Sequence, residues 1–412
     1  MAHKIKKDRT IVLPIEEKNY DLFVNDLDMA HKMVAGFYRS NPEFFPQGMA
    51  DGYMFNGKTR ISKKIGIQMR KLKIGGINYR IRPIFLLPYN RELTAEVSNA
   101  LFLKRFGVPF WALAFVFGRN PMWWYRLYLS FSEYNLLGTT LYQAEIPQDL
   151  VADEHHITIR SEKAYVATTV GQNCFLGAAV CNGADENTLH RAYAEFKKEA
   201  LTLNPDYQPT TVNTDGWMAT QNAWKRLFPT IAVIECFLHA FLKVRDRATK
   251  KMQDFFMTAA DKIWNCYRCE SKRQLAQQIR RLREWTTHNL VDSPMKANIL
   301  KLCKKKNRWS KHFDFATAHR TSNMIDRKMR AMNRHADNSQ MFHANVSSTS
   351  KNFRAFALLH NFSPSCVSAW DETCTLVSPA ARLNKVVYDD DWLRNLNLVA
   401  SFATFNHQRN PL

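Results

Sequence analysis

The chain has 412 residues, of which 46% are hydrophobic and 12% aromatic, and its formal net charge is +21. This composition excludes a disordered chain, and the length is enough for two or three domains around a sizeable core. The longest apolar runs, such as residues 108–117, are too short to span a bilayer, and no apolar secretory segment follows the basic N-terminus. Eight scattered cysteines suit a reducing compartment, so we expect a soluble, cytoplasmic protein.

The positive charge is concentrated in one segment. Residues 241–335 contain 24 lysines and arginines and 8 acidic residues, a net charge of +16, whereas residues 151–240 have a net charge of −3. A strongly basic segment beside an acidic one indicates a polyanion held next to a site that binds cations. A solvated helical surface is the usual alternative for a run of charges, but this excess is too large to be only that.

The N-terminal region predicts a small β module without cysteines for a zinc site. It contains a helix around residues 19–38, and residues 63–89 alternate basic or polar with apolar residues around Gly75 and Gly76. Such alternation on both sides of a glycine pair is typical of a β-hairpin.

Residues 91–131 predict three helices, separated at Gly107 and Gly118, with Pro121 near the start of the third. Two short helices around a glycine-containing turn indicate a helix-turn-helix, in which the third helix would contact DNA. The many Trp, Phe and Leu residues fit a buried three-helix bundle equally well. The candidate DNA contacts are Arg119, Asn120, Trp124 and Arg126.

From residue 150 the pattern changes to short apolar runs separated by turns and by two amphipathic helices. The predicted order is β-β-β-α-β-α-β, which indicates an α/β fold with a mixed sheet. The predicted elements are strands at 149–159, 163–171 and 174–181, a helix at 186–203, a strand at 209–215, a helix at 216–228 and a strand at 230–237.

Three aspartates are candidate metal ligands. Asp153 lies in the first of these strands and Asp215 at the carboxyl end of the fourth, so their carboxylates converge if the two strands are adjacent. Asp326 is an acid in an otherwise basic helix. Carboxylates beside a basic groove suit Mg²⁺-assisted phosphoryl transfer. Singly, each aspartate is better explained as a cap, a turn residue or an ion-pair partner, but the combination in this strand order favours metal ligands.

The basic segment is predicted to be almost entirely helical, and it places aromatic residues among cations. That pattern suits phosphate contacts and stacking on an unpaired base. For Trp285 and Trp309, a place in the core of a helical bundle is the slightly preferred alternative. The candidate DNA contacts are Arg280, Arg281, Arg283, Trp285, Lys304, Lys305, Lys306, Arg327 and Arg330.

An ordered set of motifs resembles a known family: VADEHH with KAYVATTVG, then VNTDGWMATQNAWKRLFP, CFLHAFLKVRDR and RTSNMIDRKMRAMNRH. The chain resembles DDE/D transposases of insertion sequences, as in the Mutator-like group, over roughly residues 91–360. This resemblance implies a ribonuclease H-like mixed sheet with a helical insertion. The implied divisions are an N-terminal β-containing DNA-binding module at 1–90, a helix-turn-helix at 91–149, the first part of the core at 150–239, the basic insertion at 240–318, the last core helix at 319–360 and a C-terminal segment at 361–412.

By the same resemblance, Asp153, Asp215 and Asp326 would hold two Mg²⁺ ions, for which Mn²⁺ would be a substitute. Most of the family has glutamate at the third position, where this chain has the shorter aspartate. Glu154 is expected on the opposite face of its strand and is not a ligand.

Cys236 and His239 match a C-x-x-H that such transposases carry on the way into the insertion. Zinc would require two further ligands, for which Cys266 and Cys269 are available. The favoured interpretation is that Cys236 and His239 pack and hydrogen-bond, or contact DNA, at the junction of core and insertion.

The predicted function is therefore a DNA transposase that binds terminal inverted repeats and catalyses metal-dependent strand cleavage and strand transfer. We expect a homodimer or larger assembly on double-stranded DNA, because two ends must be brought together, and a nucleoid-associated location in a prokaryote. One alternative is a ribonuclease H-like nuclease or resolvase that does not join strands. The other is a domesticated regulator that binds element ends without cutting.

Overall fold

A computed structural model describes residues 9–63, 66–87, 94–339, 342, 345–366 and 377–406. Within these ranges the chain is a mixed α/β protein with two mixed sheets, so the predicted α/β class is confirmed. No helix in these ranges combines the length and the apolar character that a membrane crossing requires.

The strands and helices are numbered here in chain order. The strands are β1 (Thr10–Leu13), β2 (Tyr53–Lys58), β3 (Arg70–Ile74), β4 (Ile77–Pro83), β5 (Asp149–Ile159), β6 (Glu162–Gly171), β7 (Cys174–Cys181), β8 (Thr211–Thr214) and β9 (Ala232–Glu235). The first eight helices are α1 (Glu17–Asn25), α2 (Leu27–Ser40), α3 (Thr94–Arg105), α4 (Phe110–Phe117), α5 (Pro121–Ser130), α6 (Leu136–Thr140), α7 (Glu186–Leu203) and α8 (Met218–Leu227). The others are α9 (Phe237–Arg245), α10 (Gln253–Tyr267), α11 (Lys272–Asn289), α12 (Pro294–Lys304), α13 (Lys306–Ser310), α14 (Asn323–Asp337), α15 (Val346–Phe362), α16 (Pro379–Asn384) and α17 (Trp392–Asn406). Short 3-10 turns occupy Pro42–Phe44, Phe131–Glu133, Lys250–Met252 and Lys311–Asp314.

The N-terminal sheet has the order β1-β4-β3-β2, with β1 parallel to β4 and the other neighbours antiparallel. The expected hairpin is β3–β4, and its turn residues Gly75 and Gly76 both have positive φ (52° and 79°), as a two-residue turn of this kind requires. The single helix expected around residues 19–38 is two helices, because the Asp26 side chain accepts the Met29 N–H and so starts α2.

The larger sheet has the order β7-β6-β5-β8-β9. Strands β5, β6 and β7 form an antiparallel meander, and β8 and β9 run parallel to β5, with helices α7 and α8 as the crossovers. The predicted order β-β-β-α-β-α-β is therefore confirmed. Residues 160–161 and 172–173, where the sequence placed the two hairpin turns, all have positive φ.

Helices cover both faces of the larger sheet. Helices α7 and α8 pack on one face through a core that includes Tyr193, Phe196 and Trp224, while α14 and α15 pack on the other. Strand β7 is buried along its whole length as a result, which explains its uninterrupted apolar sequence.

The basic segment forms a helical insertion, α9 to α13, with a hydrophobic core of its own that includes Ile263, Leu282 and Ile299. The backbone N–H of Phe237 donates to the Arg320 carbonyl at 3.1 Å, so the chain leaves and re-enters the core at neighbouring points. The insertion is therefore an excursion between β9 and α14.

The N-terminal sheet, helices α3 to α5 and the C-terminal helix α17 share one core with α15 and a face of the larger sheet. The Tyr128 hydroxyl of α5 donates to the Asn352 carbonyl of α15 at 3.0 Å. The Val12 N–H of β1 donates to Ser401 Oγ of α17 at 3.1 Å. The C-terminal segment thus closes against the N-terminal module.

Candidate functional site

The register of β5 and β8 brings two of the candidate aspartates together. These strands are adjacent and parallel, with Val151 opposite Asn213. Asp153 and Asp215 are each two residues farther along, and residues two apart on a strand point to the same face. The sequence predicted that the two aspartates converge if the first and fourth strands are adjacent, and these strands are adjacent.

The third candidate, Asp326, comes from the first turn of α14, and His239 comes from the first turn of α9. Ligand atoms of Asp153, His239 and Asp326 all lie within 4.8 Å of one another, and the three side chains are half-buried. Among the residues described, they form the group able to hold a metal ion.

Asp215 lies next to this group but outside the 4.8 Å cluster. Its carboxylate is fixed by the backbone N–H of Trp217, which donates to Oδ1 at 2.7 Å. Burial and, secondarily, the negative charge of Asp215 raise the pKa of Asp153 to about 6, although the Glu154 N–H donates to the Asp153 carboxylate. Like charges that repel one another in a half-buried site are what a bound cation would neutralise.

The start of α14 is held in place by three contacts. Asn213 Nδ2 of β8 donates to the His319 carbonyl at 2.7 Å, and Phe237 N–H donates to the Arg320 carbonyl. The Ser322 N–H donates to Cys236 Sγ at 3.2 Å. Strand β8 and the start of α9 therefore set the position from which Asp326 reaches the site.

Cys236 and His239 meet Asp326 through the Ser322 hydroxyl. Ser322 Oγ lies 3.0 and 3.2 Å from the two carboxylate oxygens of Asp326, 3.3 Å from His239 Nδ1 and 3.3 Å from Cys236 Sγ. Hydrogen bonding to Cys236, more than the nearby carboxylates, raises the pKa of His239 to about 9 against the effect of burial. The pair thus packs and hydrogen-bonds at the junction of core and insertion.

The described residues contain no cluster that joins Cys266 and Cys269 to this pair. Both cysteines lie in the core of the insertion, and burial raises the pKa of the Cys266 thiol to about 12. Because zinc is bound by the thiolate, this environment does not favour a zinc site.

Glu154 lies on the opposite face of β5 from Asp153. The Tyr193 hydroxyl of α7 donates to its Oε1 at 2.7 Å, and the Thr220 hydroxyl of α8 donates at 2.8 Å. Glu154 therefore belongs to the packing between sheet and helices rather than to the candidate metal site.

An open groove in the insertion, between α11 and the α12–α13 corner, is lined by cations. Four of the basic residues that the sequence assigned to DNA line this groove, while Arg281 is exposed on α11 and Arg327 and Arg330 are exposed on α14. The cations that line the groove are Arg273, Arg280, Arg283, Lys304 and Lys306.

Lys305 differs from its neighbours because its ammonium pairs with the buried carboxylate of Glu235, at the end of β9. Arg308 pairs with the same carboxylate at 3.0 Å. The charge of Lys305 therefore joins the insertion to the core, and its assignment to DNA stays a prediction. Glu235 was not predicted from the sequence, in which its only signal is an acid at the end of an apolar run.

The two tryptophans of the insertion are packing residues. Trp309 is buried, and its Nε1 donates to the Leu302 carbonyl at 2.9 Å. Trp285 is partly buried against the same core, with the Lys262 ammonium 5.6 Å from its ring centroid. The structure therefore favours the core alternative over base stacking for both residues.

One of the four candidate helix-turn-helix contacts, Trp124, is contradicted by its burial, and the other three are exposed. Trp124 is 1% exposed and its Nε1 donates to the Gly118 carbonyl, so it cannot reach DNA. Asn120 is the N-cap of α5, accepting the Met122 N–H at 2.8 Å. Arg126 is exposed, and Arg119 is exposed beside the Trp123 ring.

The outer surface of α4 is apolar. Trp111 is 65% exposed, Phe115 87% and Val116 67%, and Met122 of α5 is exposed beside them in sequence. This surface fits neither a buried three-helix bundle nor a cationic DNA-binding face, and it was not predicted from the sequence.

No protein-family model matches this chain, and no curated protein was found to match it.

Proposed function

We propose that the protein is a metal-dependent DNA transposase, which binds the terminal inverted repeats of its element and catalyses strand cleavage and strand transfer. The observation that carries this proposal is the cluster of Asp153, His239 and Asp326, with Asp215 on the strand end next to Asp153, in a chain whose insertion has a cation-lined groove. Acidic metal ligands next to a surface suited to a polyanion are what phosphoryl transfer on DNA requires.

The arrangement of the larger sheet supports a ribonuclease H-like core. It is a three-stranded antiparallel meander followed by two parallel strands, with the basic insertion placed between the last strand and α14. The first two aspartates come from adjacent central strands and the third from the helix after the insertion. This order matches the motifs by which the sequence resembles DDE/D transposases.

The donor set fits divalent cations such as Mg²⁺ and Mn²⁺. The carboxylates of Asp153 and Asp326 and the imidazole of His239 lie within 4.8 Å of one another, and the charge of nearby Asp215 contributes to the raised pKa of Asp153. Asp153, Asp215 and Asp326 would hold two such ions. The chemistry supplied there, when the ions are bound, is activation of a water or 3′-hydroxyl and neutralisation of charge at the leaving oxygen.

The residues around the site hold the metal-binding carboxylates in position. The Trp217 N–H and the Ser322 hydroxyl fix the carboxylates of Asp215 and Asp326 by hydrogen bonds, so the acids are arranged before substrate arrives. Orientation of this kind lowers the barrier because less motion has to be frozen in the transition state.

The cation-lined groove is the proposed binding surface for the DNA backbone, and contacts within the protein connect its wall to the region of the acids. Lys304 and Lys306 line the groove, and Lys305 between them contacts Glu235. Glu235 packs against Gly216, where an added Cβ would lie 2.6 Å from its carboxylate oxygen. The wall of the groove is thus connected, through Lys305 and Glu235, to the residue that follows Asp215. A homodimer or larger assembly would hold the two element ends together.

The test uses DNA that carries the gene together with its flanking sequences. The protein, its Asp215→Asn variant and an Asp206→Asn control, which changes an exposed aspartate, are incubated with this DNA and Mg²⁺ or Mn²⁺. We expect strand cleavage at flanking repeats and joined products, with cleavage lowered at least about 1,000-fold by Asp215→Asn, because several kcal/mol of transition-state stabilisation is lost. Asp206→Asn should cleave like the wild type.

Sequencing of the 3′ ends separates the alternatives. Cleavage without any joined product would replace the transposase by a nuclease or resolvase. Binding without cleavage in either metal would favour an end-binding regulator and make the three aspartates structural.

A further inference from the structure

His239 lies where the chain leaves the core for the insertion, and a nitrogen of its ring is within 4.8 Å of carboxylate oxygens of Asp153 and Asp326. We propose that His239 is a direct ligand of the divalent cation held by these two aspartates and that Ser322 orients its ring. The inference rests on the proposed function in that it concerns the same cation site.

The Ser322 hydroxyl determines which ring nitrogen is free to bind a cation. A hydroxyl has one proton to donate, and its strongest nearby acceptor is the Asp326 carboxylate, 3.0 Å away. His239 Nδ1 lies 3.3 Å from Ser322 Oγ and then donates its own N–H to that hydroxyl oxygen. This assignment leaves the lone pair of the neutral ring on Nε2, so the inference requires Nε2 to be the nitrogen that binds the cation.

This arrangement is a supporting shell of the kind that orients metal ligands. A ligating histidine usually donates its other ring N–H to an oxygen, and a ligating carboxylate usually accepts a further hydrogen bond. Ser322 serves both partners at once, and its own backbone is held by the Cys236 sulfur. Cys236 and Ser322 are therefore positioning residues, whereas His239 contacts the cation.

A cation and a proton compete for the same imidazole nitrogen. The carboxylates of Asp153 and Asp326 beside the ring favour a divalent cation there. The nitrogen ligand has a consequence for selectivity, because imidazole binds transition-metal cations better than Mg²⁺ or Ca²⁺, which prefer oxygen. We therefore expect tighter binding of Mn²⁺ than of Mg²⁺.

The direct test is pulsed electron paramagnetic resonance of the Mn²⁺-loaded full chain without DNA. A nitrogen that binds Mn²⁺ gives a ¹⁴N coupling, which changes to a ¹⁵N coupling when the protein contains ¹⁵N-labelled histidine. We expect this coupling in the wild type and in His288→Gln, which changes an exposed histidine. We expect it to be absent in His239→Gln. The affinity for Mn²⁺ should fall about 10-fold or more in His239→Gln, while the affinity for Mg²⁺ should change less than threefold.

The other possible outcomes distinguish a failure of the His239 inference from a failure of the proposed metal site. Mn²⁺ that binds the wild type, is lost in Asp153→Asn and shows no histidine coupling would overturn this inference and leave the proposed metal site intact. A coupling that persists in His239→Gln would also overturn it. No Mn²⁺ binding to the wild type would overturn both the inference and the metal-dependent part of the proposed function. If His239→Gln does not fold, the labelled wild type still answers whether any histidine binds the metal.

Discussion

At the residue scale, Lys104 offers a test of burial energetics that is independent of the candidate site. It is 1% exposed in α3, and its ammonium lies 4.3 Å from the ring centroid of Phe110. Burial lowers its pKa from 10.5 to about 8. The folded pKa lies below the unfolded one, so Lys104 is buried as a neutral amine without an ionisation cost above pH 10.5. That advantage is lost as the pH falls through 8, because the ammonium must then be buried.

Lys104→Met should therefore raise the free energy of unfolding at pH 7 by about 2 kcal/mol, after allowance for the lost contact with the Phe110 ring. The gain should shrink as the pH rises from 8 toward 10, where the wild-type lysine is already largely neutral in the folded state. Urea denaturation of both proteins across this pH range measures the difference. Lys301→Met, at an exposed position, should change stability by less than about 0.5 kcal/mol, and a loss of stability in Lys104→Met at pH 7 would contradict the argument.

The sequence predicted which residues belong to the site better than it predicted where their side chains point. Asp153 and Asp215 were recognisable because strand alternation and register determine which way they point. Trp124 was misassigned because the orientation of α5 depends on packing against α15, far along the chain. Ser322 was not recognisable at all, since its role requires β8, α9 and α14 to meet.

At the element scale, the ion pairs of Glu235 hold the insertion against the core. The Glu235 side chain is 5% exposed, and its partners Lys305 and Arg308 lie on either side of the start of α13. Removing one partner of a buried pair leaves the other uncompensated, so the loss exceeds that of an exposed pair. Both cations are partly exposed, which moderates the cost.

We expect Glu235→Gln to lower the free energy of unfolding by about 1–3 kcal/mol and to increase amide hydrogen exchange in α13. A double-mutant cycle with Arg308→Met should give a coupling energy of about 1 kcal/mol. Glu284→Gln is the matched control, because its partner Arg280 is exposed and 3.6 Å away. Equal effects of the two glutamine variants would show that the insertion is not held by Glu235.

Elements that depend on local pattern were predictable, and those that depend on distant pairing were not. Strands β5 to β9 and helices α7 and α8 follow from apolar runs, alternation and turn residues close in sequence. Strand β1 has no such signal, because it pairs in parallel with β4, about 70 residues away, and is covered by α17. The register of the larger sheet, which creates the site, was predictable only as a condition on strand adjacency.

At the scale of the whole molecule, the charge distribution predicts how DNA binding depends on salt. The net charge of +16 in residues 241–335 is arranged so that five cations line one groove. Each phosphate that a cation neutralises releases a counterion, and the slope of log affinity against log salt changes by about 0.9 per contact on duplex DNA.

The triple variant Arg280→Gln, Arg283→Gln, Lys304→Gln should therefore reduce the magnitude of this slope by about 2–3 and weaken binding to all duplex sequences alike. The matched control removes the same net charge from exposed lysines elsewhere, as Lys163→Gln, Lys198→Gln, Lys385→Gln. If long-range attraction alone governed binding, the two triple variants would weaken it equally, because they have the same net charge. A groove that contacts phosphates directly instead predicts a large change in slope for the first variant and a change below about 1 for the second. Fluorescence anisotropy with a labelled duplex over 50–300 mM salt distinguishes the two, and equal slopes would move the DNA path away from the groove.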